Sequence, residues 1–257
     1  MNLGRSAVVI GVTSGIGKAV AEGFILKGIP VTGNARRAEV LEMMTHDLSP
    51  KGRALMFVGV AGDATQNNVL ENVVEKSKQA FSMLPDIFVL CAGRGLPGTV
   101  VTSDESKWEE LFRINCLGTI RQMRIAAQVL LEGRKNDGEN WKPRDIVVIG
   151  SSIGRNISPF NPVYGSTKFA VHSAAEALRQ ELGPQGIRVS LIEPGIVKTE
   201  FQQAANYDPA WFQQYEKQIG PILVAQDVAN LVQFIVSQPP HVHLNDIVIR
   251  PTRQPYP

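Results

Sequence analysis

Cysteine is scarce in this chain: 257 residues carry two, Cys91 and Cys116. Two thiols at that spacing give neither a disulfide framework nor a zinc set, and they suit a reducing, cytoplasmic setting. No stretch reaches the ~18 consecutive apolar residues of a membrane span. The first strand-like run begins within a few residues of Met1, which leaves no room for a signal peptide. Excess charge is lacking too, with 26 basic against 24 acidic residues and a net charge of +2. No basic run is interleaved with aromatics, so nucleic acid is not an expected partner. No repeat and no low-complexity tract is present. His241 and His243 alternate as a metal pair would, but no third ligand accompanies them and no metal is expected.

What is present is a regular alternation of apolar runs and helical periodicity. Strands are expected at Ala7–Ile10, Pro30–Asn34, Ala54–Val60, Ile87–Cys91, Ile146–Ile149, Val189–Glu193 and Ile247–Ile249. Helices are expected near Gln66–Ser82, Ser106–Leu131, Ser166–Leu182 and Gln226–Ser237, with a polar surface loop over Glu132–Arg144. Near-continuous apolar strands between helices imply a parallel sheet covered on both faces. The length fits one α/β domain over residues 1–257. Ligands of such sheets bind at the C-terminal strand ends. Gly11, Cys91, Ser151 and Pro194 all follow such ends.

The first strand runs straight into Gly11-Val-Thr13-Ser14-Gly15-Ile16-Gly17, and helical spacing of apolar residues follows. A glycine-rich turn between strand and helix aims backbone N–H groups and a helix N-terminus at an anion, as a pyrophosphate requires. The second strand ends in Ala35-Arg36-Arg37 with no carboxylate. An acid there would accept from the 2′-hydroxyl of NAD, whereas arginine suits the 2′-phosphate of NADP. Arg36 and Arg37 are candidate phosphate clamps.

Tyr164 and Lys168 lie four residues apart in a segment that opens a helix. One turn brings them to one face. A nearby ammonium favours phenolate and lowers a pKa near ~10, which would make Tyr164 a general acid/base. Alone, such pairs are common on solvated helix faces. Here they accompany the glycine turn, and the set resembles the short-chain dehydrogenase/reductase family from about Leu3 to Ile249. Gly11, Gly15 and Gly17 match its glycine motif, Asp63-Ala64 its adenine-contacting pair, and Ala92-Gly93 the end of its Asn-Asn-Ala-Gly element. Asn115 matches its helix asparagine, Ser151 its serine, and Tyr164 and Lys168 its active pair. Pro194-Gly195 with Thr199 matches the segment beside the nicotinamide. Ile10 and Cys91 depart from the pattern, where the family has threonine and asparagine. Ser151 fits the family's Ser-x-x-Gly and its thirteen-residue spacing to the tyrosine; Ser152 is off by one and reads as a strand-end cap.

The resemblance implies a doubly wound Rossmann fold of about seven parallel strands. It also implies direct hydride transfer between NADP(H) and a carbonyl or secondary alcohol. Tyr164 would then move the proton, Lys168 lower its pKa, Ser151 bind the carbonyl oxygen and Asn115 hold a water. The Ile196 amide would meet the carboxamide. A homodimer or homotetramer is implied as well. The tail from His241 to Thr252 is similar to bacterial NADP-dependent 3-hydroxy acid dehydrogenases, which hints at a small hydroxy acid, aldehyde or ketone. Residues 200–223 carry Phe201, Tyr207, Trp211, Phe212 and Tyr215, either as a substrate lid or as a helix packed on the body. Arg94 and Arg155 are candidate partners of a substrate anion or solvated loop residues. Alternative readings are a biosynthetic ketoreductase, an epimerase or dehydratase of the extended superfamily branch, and a non-catalytic NADP-binding sensor or scaffold.

Overall fold

The computed structural model describes residues 4–49, 54–138 and 141–255. Seven parallel strands form one sheet: β1 (Ala7–Ile10), β2 (Val31–Ala35), β3 (Phe57–Ala61), β4 (Ile87–Leu90), β5 (Asp145–Ile149), β6 (Arg188–Pro194) and, last in the chain, β9 (Asp246–Ile249). Their order is β3-β2-β1-β4-β5-β6-β9. This is the doubly wound Rossmann arrangement, with helices on both faces. The strand order reverses between β1 and β4, and that crevice is where such sheets bind ligands.

Alternation along the strands builds two cores. Ala7, Val9, Ile87, Val89 and Val147 point to one face, against Val20 and Phe24 of α1 (Gly15–Leu26) and Val228, Val232 and Ile235 of α9 (Ala225–Val236). Val8, Ile10, Phe88, Leu90, Ile146 and Val148 point to the other. There they meet Met123, Ala126 and Leu130 of α5 (Thr119–Asn136), and Val171, Ala175 and Leu182 of α6 (Pro162–Leu182). The N-terminal strand ends are tied by a buried ion network. Arg5 reaches Asp86 at 2.8 Å and Asp145 at 2.5 Å, and Arg188 reaches Asp145 at 2.7 Å. The opposite edge is left for the site.

Several expected boundaries shift. The expected strand Ala54–Val60 begins only at Phe57, where pairing with Val31 starts. Leu55 is exposed, and the Ser49 hydroxyl takes the Met56 and Phe57 amides. The expected helix Ser106–Leu131 is interrupted. A 3₁₀ turn at Glu105–Lys107, α4 (Trp108–Phe112) and a π-helical turn at Arg113–Gly118 precede α5. Residues 132–136 continue α5 rather than starting the expected loop; residues 139–140 of that loop lie outside the described residues. Helix α2 (Ala38–Leu48) follows β2, and α3 (Asn67–Phe81) falls at its expected place. Helix α6 starts at Pro162, four residues earlier than expected, because proline suits the first helical position. Among the described residues no helix is long and apolar enough to cross a membrane.

Candidate active site

A cleft of ≈ 940 Å³ runs along the C-terminal strand edge. One end is the glycine turn. Gly11 has φ +83°, and a Cβ there would meet the Ala92 amide nitrogen at 2.9 Å. A Cβ on Gly17 would run into the Gly11 carbonyl oxygen. The chain can therefore turn this sharply only without side chains, and the turn leaves the first amides of α1 without intrahelical partners. Asn34 pins the turn from β2. Its carbonyl accepts from Gly11 and Val12 at 2.8 and 3.2 Å, and its side chain donates to the Val60 carbonyl at 2.9 Å.

The two arginines part company. Arg37 folds back on the turn, donating to the Thr13 carbonyl at 3.0 Å and hydroxyl at 3.1 Å and meeting Glu200 at 3.4 Å. Arg36 lines the cleft, is exposed, and makes no hydrogen bond or ion pair with any described residue. Asp63 lines the cleft next to Ala64, but its carboxylate is already engaged. One oxygen accepts from the Thr65 amide and the other from Arg113, both at 3.0 Å. Burial opposes its ionisation, yet these bonds hold its pKa below the usual carboxylate range. The shaped backbone cradle, the helix N-terminus and a cation with no partner together fit a phosphate-bearing dinucleotide.

The middle of the cleft holds the reacting groups expected from the sequence. Ser151, Tyr164 and Lys168 all line it and are all buried. Lys168 donates to the Ile149 carbonyl at 3.1 Å, and its Nζ lies 5.9 Å from the Tyr164 ring centre. Burial lowers its pKa to about 8 against the opposing pull of the Cys91 and Cys116 thiols. Tyr164 departs from expectation. Its phenol is pushed up rather than down, by burial first and by the neighbouring Tyr207 hydroxyl second, while a hydrogen bond from Ser151 opposes the rise. The Lys168 ammonium is aimed at the Ile149 carbonyl and does not offset that burial.

Asn115 sits in the π-helical turn, a frequent mark of functional positions. Its amide donates to the Arg94 carbonyl at 2.8 Å and the Thr167 hydroxyl at 3.0 Å, and its oxygen accepts from the Arg94 amide at 2.9 Å. Both donors are spent, so the residue braces the loop after β4 against α6. Cys91 packs beside Ala92 and Gly93 along the cleft, its amide bonded to the Ile10 carbonyl at 3.0 Å. Burial raises its thiol to about 12, so it stays protonated at neutral pH. Pro194, Gly195, Ile196 and Thr199 line the far wall. The Ile196 amide, expected to be open to a carboxamide, donates instead to the Gln254 side chain at 2.9 Å. The two serines also correct the reading. The Ser151 hydroxyl caps the local turn, accepting from the Ile153 amide at 3.3 Å, whereas Ser152 makes no side-chain cap.

Arg155 does not line the cleft; it pairs with Glu193 at 2.8 Å and Asp246 at 2.5 Å. Arg94 lines the cleft but pairs with Glu110 at 3.0 Å. His243 lies 2.9 Å from the Val189 carbonyl. Residues 200–223 fold into α7 (Phe201–Ala204) and α8 (Pro209–Ile219), between the short paired strands β7 (Val197–Lys198) and β8 (Leu223–Val224). Phe201, Tyr207, Trp211 and Tyr215 all face the cleft.

Sequence reasoning missed His172. Its ring fills the space where Gly150 and Gly154 have no Cβ, and its Nε2 accepts from the Ser151 amide at 3.2 Å. Burial first, then the charge of Lys168, lower its pKa to about 4, so the ring stays neutral and remains an acceptor. The available signal was its place one turn beyond Lys168 on α6, facing two glycines that flank Ser151.

Comparison with known proteins agrees with this geometry. The family model described as short chain dehydrogenase matches residues 5–210. Dehydrogenase/reductase SDR family member 11 of Bos taurus is 31% identical over 258 residues, covering 97% of each chain. Glycine betaine reductase ATRR of Emericella nidulans is 31% identical over 98% of this chain, which spans only 19% of that larger protein. The solved closed form of serine dehydrogenase complexed with NADP+ superimposes with a TM-score of 0.84 at 26% identity, over 98% of this chain and 97% of that one. A match over most of the chain, joined to a relative above 30% identity along its whole length, leaves one assignment: this chain belongs to the short-chain dehydrogenase/reductase family of oxidoreductases.

Proposed function

We propose that this protein is an NADP(H)-dependent carbonyl reductase or alcohol dehydrogenase acting on CH–OH groups, with residues 1–257 as one cofactor-binding and catalytic domain. The observation that carries the reading is the meeting of Ser151, Tyr164 and Lys168 in the same cleft as a partnerless Arg36. The absence of a carboxylate at the end of β2 favours NADP over NAD, and the serine dehydrogenase it resembles was solved with NADP+.

The nicotinamide, when bound, supplies or takes the hydride. The Ser151 hydroxyl orients and polarises the carbonyl oxygen by donating to it. Tyr164 hands its proton to the same oxygen as negative charge develops there. Burial keeps the Tyr164 phenol protonated at neutral pH, which suits it as the acid of the reducing direction. Lys168, charged below about pH 8, would stabilise the phenolate left behind and would hold the cofactor ribose. Asn115 has both amide donors committed, so its part is to brace the Arg94 loop beside Lys168. Exposed Leu117, Ile120 and Phe169 support a homodimer or homotetramer, and the free thiols Cys91 and Cys116 support a cytoplasmic setting.

Tyr164→Phe tests the reading. It removes one oxygen and keeps the ring, so NADPH affinity should hold while kcat falls by about 10³-fold. Cofactor-dependent turnover that survives this change intact would leave a binding protein, or another mechanism, as the better account.

A further inference from the structure

Beyond Tyr164 the cleft is walled by aromatic rings rather than by charge. Phe160, in the loop before α6, is 73% exposed, and Trp211 on α8 is 49% exposed; both line the cleft. Tyr207, Trp211 and Tyr215 recur at four-residue spacing. Their rings meet at 6.1 Å and 5.3 Å, the second pair nearly parallel at 8°. Phe201 stands 6.0 Å from the Tyr164 ring. So much open aromatic surface beside a reacting group favours an apolar body that covers it.

The charges lining the cleft divide cleanly. Arg36, Arg37 and Asp63 belong to the glycine-turn end. Among the described residues, every charged side chain at the other end except the buried Lys168 is already matched. Arg94 faces Glu110, Glu200 faces Arg37, and the Asp208 carboxylate accepts from the Ala210 amide at 2.8 Å and the Trp211 amide at 3.5 Å. Arg155 is turned away toward Glu193 and Asp246. Lys168 is held at the Ile149 carbonyl. A carboxylate entering among the rings would lose its hydration without meeting a cation other than Lys168, which is buried beneath Tyr164 and held at the Ile149 carbonyl. A neutral oxygen meets something better. The Tyr207 hydroxyl accepts from the Asn161 amide at 3.4 Å, which leaves its own proton to donate into the cleft close to Tyr164.

We infer that the substrate is a neutral carbonyl compound, or its alcohol, whose aromatic or bulky apolar body lies between Phe160 and the Trp211 face, and that free carboxylic acids are rejected. The inference rests on the reductase reading above and narrows it, against the hint of a hydroxy acid carried by the C-terminal tail.

The test uses the full chain, NADPH, and two ketones that share a phenyl ring and an α-keto group: methyl benzoylformate, which is neutral, and benzoylformate, which is an anion. The ester should be reduced with a kcat/KM about 30-fold or more above the acid. Trp211→Ala should raise KM for the ester by about ten-fold with kcat within about two-fold, since it removes apolar contact and leaves the reacting groups alone. Phe160→Arg places a cation at an exposed position, so it should raise kcat/KM for benzoylformate by about five-fold or more without helping the ester. The inference is overturned if the acid matches or beats the ester. It is equally overturned if neither is reduced while a Tyr164-dependent activity on glyoxylate is present. Failure to bind NADPH, or activity indifferent to Tyr164→Phe, would remove the reductase reading and this inference together.

Discussion

The two ends of the cleft are made of different material. The glycine-turn end is backbone: amides and carbonyls of β1, β2 and α1, fixed by Asn34 and by side chains that are missing at Gly11 and Gly17. The aromatic end is side chain: rings on α7, α8 and the loop before α6, several of them half open to water. At Gly11 and Gly17 the first end has no room for a side chain, because a Cβ would meet backbone atoms there. The second can change its occupant by exchanging one ring. A fold that keeps one cofactor and varies its substrates needs this division, and it is written here in which atoms do the binding.

Gly17→Val should produce the largest effect and break the rigid end outright. The new side chain must enter the space of the Gly11 carbonyl, so the turn has to open. NADPH affinity should fall by about 100-fold or more, with a lower Tm, read by fluorescence titration and thermal melting. The matching change at the other end, Phe160→Ala, should leave the NADPH Kd and Tm nearly unmoved. Equal damage from both would mean that the two ends are one mechanical unit.

Arg36→Ala sharpens the same comparison within the rigid end. The guanidinium has no partner among the described residues to lose, so stability should not change. NADPH should weaken by about 30-fold and NADH by no more than about three-fold, since only the former carries a phosphate at this position. Equal losses would sink the NADP assignment.

The rigid end was also the legible one. Gly11, Gly15 and Gly17 were readable because a Cβ does not fit there, and nearer the middle Tyr164 and Lys168 were readable as a pair because their spacing puts both on one helix face. The strands were readable because burial on both faces leaves long β-branched runs; the expected Ala54 start failed because Leu55 is apolar without being paired. The interruption at Arg113–Gly118 was invisible, since a π-helical turn barely disturbs helical periodicity. The roles of His172, Tyr207 and Gln254 come only from tertiary placement. A histidine that accepts from an amide 21 residues earlier has no local signature. The same holds for the Tyr164 phenol: spacing gave the nearby ammonium, and only packing gave the burial that pushes its pKa up.

His172 holds the Ser151 amide just past the end of β5, and its titration gives a prediction of intermediate size. Its folded pKa of about 4 lies below the usual value near ~6.5. Between those values the unfolded chain binds the proton that the folded chain refuses, so stability falls as pH drops from about 6.5 to 4 and is unaffected by this group above that window. The wild type should lose about 2 kcal/mol of stability across it, measured by denaturant melts, and His172→Gln should flatten that dependence. The groups facing the ring are Lys168, Arg155, Glu193 and Asp246. The carboxylates among them titrate too, so the informative quantity is the difference between variant and wild type. No difference would mean that the imidazole is already solvated and does not hold the Ser151 amide.

The smallest effect belongs to the contact that spans the division. Arg37 lies on the glycine turn and Glu200 begins the aromatic segment, and they meet at 3.4 Å with about half of each side chain in water. An exposed pair of this kind is worth ~0–1 kcal/mol and is screened by salt. Glu200→Gln should therefore leave Tm unchanged within error. Its effect on cofactor should be a gain: removing a negative charge beside the phosphate end frees Arg37 and should tighten NADPH by about two-fold at low salt, with no gain at high salt. Arg37 also holds Thr13 through three hydrogen bonds, so the turn itself should stay in place. A loss of NADPH affinity in this variant would show that the aromatic segment, through Glu200, orders the glycine turn. The substrate end would then help to build the cofactor end rather than only border it.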